Sequence, residues 1–198
     1  MKFSRVFLFI FLSVAVSFSQ DCNIEEINNV SKVYKLNANT LLSIAKHESE
    51  CWPYSIGVIS KDRLLVKSFL DSHKKEIDFR YKNSNTLFSI YIADYKNAAL
   101  FHKLFLEFNA NNGNAISSYD LGIMQINSTN FVSYGIKENE VDYFLDNEKN
   151  IILGGAVLKE CMNIFKGVEK KGIECYNKGT DSKKFKNYTY YKKIIKGS

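Results

Sequence analysis

Apolar positions along the chain recur mostly at helical spacing. Ile27, Val30, Val33 and Tyr34 predict a first helix over 24–36. Leu41, Ile44 and Ala45 predict a second over about 40–51, capped by Asn37 or Asn39 and stopped by Pro53, the only proline. "SIGVIS" (55–60) alternates weakly and reads as a short strand, 64–70 as a helix, and the β-branched and aromatic run 86–93 as a strand. Ala98, Phe101, Leu104, Phe105 and Phe108 mark a helix with an aromatic face for core packing, followed by a polar Asn/Gly loop over 109–118. Asp120-Leu121-Gly122 reads as a turn, with short helices near 129–134 and 138–145. The clearest helix spans 148–166, with an apolar stripe that includes Gly154 and Gly155. Two glycines in a helix cost about 1 kcal/mol each relative to alanine, which predicts a backbone neighbour packed close to them. A shorter helix follows over 168–176, ending near Gly179.

The two ends of the chain depart from this pattern. Lys2 and Arg5 precede the apolar run "VFLFIFLSVAV", and Ser17-Phe18-Ser19 places small residues before a cleavage point at Gln20. Residues 1–19 therefore read as a secretory signal peptide, about eleven apolar residues being too few to span a bilayer. Residues 20–180 form one domain, α+β but mostly α, with room for a sizeable core. Residues 181–198 are a basic, aromatic C-terminal tail, readable as a packed helix, a surface-binding extension or a segment without fixed structure.

Composition narrows the function classes. The formal net charge is +6, and removal of Lys2 and Arg5 lowers it by two. Export and the lack of a dense Lys/Arg stripe outside the tail argue against nucleic acid, whereas a mildly basic surface suits an acidic wall polymer. Cys22, Cys51, Cys161 and Cys175 are an even set, which in an oxidising compartment reads as two disulfides with three connectivities. No C-x-x-C occurs and His47, His73 and His102 are scattered, so neither a metal site nor a cofactor is expected.

Candidate chemistry centres on Glu48, which follows Leu41 by seven positions on the same helix face. A solvated last-turn carboxylate is one reading. The other is a general acid whose pKa is raised by apolar neighbours. Gln125, held inside the apolar run "GIMQI", reads as facing a cleft, because a core position would leave its amide to be satisfied.

Three separated motifs then coincide. "IAKHES", "LGIMQINS" and "CYNKG", the last preceded by "NIILGGAVL", occur in the order seen in soluble (SLT-type) lytic transglycosylases. The chain resembles in particular their small secretion- and invasion-associated branch, over about 22–59 and 117–179. The resemblance implies a lysozyme-like (goose-type/SLT) fold with a small β element, and an enzyme that cleaves peptidoglycan glycan strands as a monomer in the periplasm or cell envelope, beside a secretion or other envelope-spanning complex. It implies Glu48 as catalytic acid/base and Ser49 as its support. Gln125 with Met124 would line the sugar cleft, and Tyr176 and Asn177 would stand near the carboxylate, the phenol orienting Glu48. From that fold we expect Cys51 paired with Cys175 across the cleft, and Cys22 with Cys161.

Departures from the family pattern are also visible. The long spacing from Glu48 to Gly122 marks 61–116 as an insertion, readable as a lid, a docking surface or a restriction on substrate entry. Lys178 stands where the family has alanine. Asp120 in "DLGIMQINS" resembles the second carboxylate of animal-type lysozymes, although a turn-stabilising role is the default. A lysozyme-type hydrolase using Glu48 with Asp120, and a non-catalytic wall-binding scaffold, are the alternative readings.

Overall fold

The computed structural model describes residues 22–84 and 87–196; the expected signal peptide, 1–19, lies outside them. Two helices open the described part, α1 (Ile24–Tyr34) and α2 (Ala38–Ser49). Asn37 caps α2, its Oδ1 accepting from the N–H groups of Asn39 (2.9 Å) and Thr40 (3.2 Å). Then follow β1 (Ser55–Ser60), α3 (Arg63–His73), β2 (Phe79–Asn83), β3 (Leu87–Ile92) and α4 (Tyr95–Asn111). After β4 (Ile116–Leu121), β5 (Ile126–Asn127) and α5 (Ser128–Ser133) comes a 3-10 helix, Glu138–Leu145. Helices α6 (Asn147–Ile164), α7 (Glu169–Lys178) and α8 (Thr189–Lys196) complete the described part. The class is α+β and mostly α, as expected.

Most predicted elements appear within a few residues of their expected bounds. The polar loop after α4 is shorter than expected, because α4 runs through Asn111 and β4 starts at Ile116. Asp120 and Leu121 belong to that strand, and the turn lies beyond them at Gly122–Gln125.

The strands form one antiparallel sheet in the order β2-β3-β1-β4-β5. Alternation divides its residues between two faces. Ile56, Val58, Phe88 and Ile90 share a face with Phe79 and Tyr81 by register, and meet the aromatic sides of α3 and α4. There Phe101 lies 5.8 Å from Phe69 and 5.2 Å from Phe79, centroid to centroid. The segment 61–116 is thus α3, the β2–β3 hairpin and α4, and its Phe88, Ile90, Phe101 and Phe105 join the same core as Leu41 and Ile44. The opposite face carries Ser55, Gly57, Ser89 and Asp120 towards a cleft.

Two expectations are corrected. The disulfides join Cys22 to Cys51 and Cys161 to Cys175, with Cα–Cα distances of 4.8 and 5.7 Å. Each bridge closes a local pair of helices, α1 with α2 and α6 with α7, which already pack against each other. Neither joins α2 to α7, and the Cys161–Cys175 bridge stands in the cleft wall. Each restricts the unfolded chain by on the order of 3 kcal/mol. The glycines of α6 admit side chains rather than a backbone. A methyl at Gly154 would stand 2.7 Å from Met124 Cγ, and one at Gly155 would stand 2.3 Å from Val30 Cγ1.

Candidate active site

The C-terminal turn of α2 delivers Glu48 to a cleft of about 670 Å³, half-buried, with Asp120, Gln125, Tyr176 and Asn177 in the same walls. Ser49, fully buried, has its Oγ 2.8 Å from the Ile123 carbonyl and 3.1 Å from that of Ala45. One hydroxyl therefore fastens the end of α2 to the Gly122–Gln125 turn.

That turn is held from three sides. Gly122 adopts φ +75°, and a side chain there would collide with Asn150. Asn150, with no exposed surface, donates to the carbonyls of Leu121 (3.0 Å) and Phe144 (2.9 Å) and accepts from the Met124 N–H (2.8 Å). Gln125 Nε2 donates to Gly122 O (2.9 Å), Ser55 Oγ (2.9 Å) and Ser55 O (3.2 Å). Two of those acceptors are carbonyls, which fixes the amide with Oε1 towards Gly57 and the cleft. Gln125 is therefore in the cleft wall, as expected. Met124, expected beside it, is fully buried in the space left by Gly154 and presents only its carbonyl, which accepts from Tyr176 Oη at 2.7 Å.

Tyr176, expected to orient Glu48, is thus committed to backbone. The phenol that donates to Glu48 Oε1 belongs to Tyr190, on α8. Tyr190 is buried with Ile194 against α2, and its ring meets His47 edge-on at 5.5 Å. The start of α8 is secured by Glu174 of α7, a fully buried carboxylate that accepts from Tyr191 N (2.8 Å), Tyr190 N (3.4 Å) and the Lys178 ammonium. Lys178, in the cleft wall beside Asn177, is thus paired with Glu174 and also donates to Thr189 Oγ1 at 3.2 Å. The sequence reading missed Tyr190. Its only signal was the i, i+4 pair Tyr190 and Ile194 within a basic segment.

The electrostatics follow from this packing. Burial raises the Glu48 pKa, the Tyr190 hydrogen bond opposes that, Asp120 adds to it and Lys193 subtracts, with a result of about 7. Asp120 is raised to about 6 by burial, partly offset by Asn127 Nδ2 donating to its Oδ1 at 2.7 Å. Burial, and then the charges of Glu48 and Asp120, raise Tyr176 well above the ordinary phenol value. The cleft holds two carboxyl groups that change protonation near neutrality. Tyr190→Phe should raise the Glu48 midpoint further, because the lost donor favoured the charged form. Carboxyl carbon shifts followed through a pH titration check the direction.

No curated protein and no solved structure matches the chain. Residues 25–197, a span that includes α8, match the family model of the Transglycosylase SLT domain. The chain belongs to that family, a set of lytic transglycosylases that cut the glycan strands of peptidoglycan.

Proposed function

We propose that Glu48 is the single acid/base of a lytic transglycosylase that cleaves the β-1,4 bond between N-acetylmuramic acid and N-acetylglucosamine and leaves a 1,6-anhydro end. The carrying observation is a carboxyl with a pKa of about 7 in a cleft, held by one phenol, so that both protonation states are accessible at neutral pH. Protonated Glu48 gives its proton to the glycosidic oxygen as the C1–O bond breaks. The muramic acid's own C6 hydroxyl then attacks C1, and the Glu48 carboxylate takes the hydroxyl proton, which restores the acid. Attack from within the sugar supplies a high effective concentration and requires no protein nucleophile. Export through residues 1–19 would deliver the enzyme to the periplasm or cell envelope, where we place it as a monomer acting on the wall beside an envelope-spanning machine. The two disulfides suit an oxidising compartment.

Asp120 favours a second reading, because it is raised to about 6 in the same cleft and faces Gly57, which leaves its side chain room. With Asp120 opposite Glu48, water could be the acceptor and the enzyme a lysozyme-type hydrolase. Mass spectrometry of digested cell wall separates the two. Anhydro products, each one water lighter than their hydrolysed equivalents, support transglycosylation, and Asp120→Asn should then retain most activity. Reducing ends, with Asp120→Asn inactive, would establish hydrolysis and overturn the proposal.

A further inference from the structure

The inserted β2–β3 hairpin continues the cleft floor. One cross-strand row runs through every strand: Lys82 opposite Ser89, Ser89 opposite Gly57, Gly57 opposite Asp120, and Asp120 opposite Asn127. Three strand spacings separate Asp120 from Lys82, roughly 14 Å. The next row carries Arg80, Tyr91 and Ser55 on the same face, the one on which Ser55 meets Gln125. Leu87 and Ser89, from the insertion, stand in the cleft wall with Glu48.

At the hairpin end of this floor is a cationic platform. The Arg80 guanidinium lies 5.0 Å from the Trp52 ring centroid and 5.2 Å from that of Tyr91. Trp52 is fixed by its Nε1 donating to the Ile92 carbonyl at 2.7 Å, and meets Tyr91 edge-on at 6.1 Å. Lys82 is neutralised by Glu50 at 2.6 Å, and Glu50 sits two residues past Glu48, so the hairpin is tied to the end of α2. Arg80 is exposed and forms no ion pair among the described residues. A stacked guanidinium with unspent donors is a planar fork suited to a carboxylate.

We propose that Arg80, on its Trp52–Tyr91 platform, is a specificity site for a carboxylate of the peptide stem attached to the glycan strand, and that the insertion makes the enzyme favour peptide-bearing peptidoglycan. The inference rests on the glycan-cleaving reading of Glu48. In peptide-bearing strands the hydroxyl, acetamido and lactyl-amide groups of the sugars are all neutral, whereas the stems carry free acids. The site accounts for an exposed cation on an added hairpin, backed by the buried Tyr91 ring and the part-buried Trp52 ring.

The experiment compares kcat/KM on peptide-bearing glycan strands with that on strands stripped of peptide by an amidase. The wild type should prefer the peptide-bearing substrate. Arg80→Ala should shrink that preference about tenfold through KM, Arg80→Glu further, and Arg80→Lys less than either. Melting temperatures check that these surface variants remain folded. A preference that stays constant across the variants overturns the site and leaves the catalytic reading intact. Absence of any glycan cleavage by the wild type overturns both.

Discussion

Glu48→Gln should lower the rate of glycan cleavage by about 10³-fold with the fold retained, since glutamine can still accept from Tyr190 but has no proton to give. Wild-type activity should fall as pH rises through about 7, where Glu48 loses its proton. The same ionisation acts on stability. The folded-state pKa of Glu48 lies above its ordinary 4.5, so its favourable contribution is complete below that value and is lost as pH rises through about 7. Glu48→Gln should therefore be more stable than the wild type above neutrality, by roughly 2 kcal/mol after allowance for solvent screening in the cleft. The gap should close below pH 4.5. Urea unfolding at the two extremes reads the difference, and full activity of the variant would remove Glu48 from the chemistry.

Asn150→Ala should be the most damaging single change to stability described here. The substitution strips partners from the Leu121 and Phe144 carbonyls and the Met124 N–H, all inside the protein, and empties the space against Gly122. The expected cost is about 3–4 kcal/mol, with a melting point lowered by roughly 10 °C. Asn150→Asp should be no better, because an acceptor would then face two carbonyls. A loss below about 1 kcal/mol would mean that the turn carrying Gln125 is held by other contacts.

These residues differ in how plainly the sequence announces them. Glu48 was legible because a charge on the apolar face of α2 conflicts with its helical period. Gln125 was legible for the same reason within "GIMQI". Asn150 was passed over, since an asparagine in the first turn of a helix reads as an ordinary solvated or capping residue. The disulfide partners follow from which helices lie side by side, and spacing along the chain does not report that. The strand at 86–93 was readable from its β-branched and aromatic content. Its place beside β1, which makes the segment 61–116 part of the cleft floor, depends on pairing across distant residues. Tyr190 was hardest, because a single tyrosine in "YTYYKKII" gains its meaning only from α8 docking on α2.

The placement of that phenol has a consequence for biosynthesis. Its carboxylate partner lies 142 positions earlier. The chain must therefore be made through position 190 before Glu48 acquires its hydroxyl donor. A product truncated ahead of Tyr190 would present a groove whose Glu48 carboxyl lacks that hydrogen bond and titrates differently.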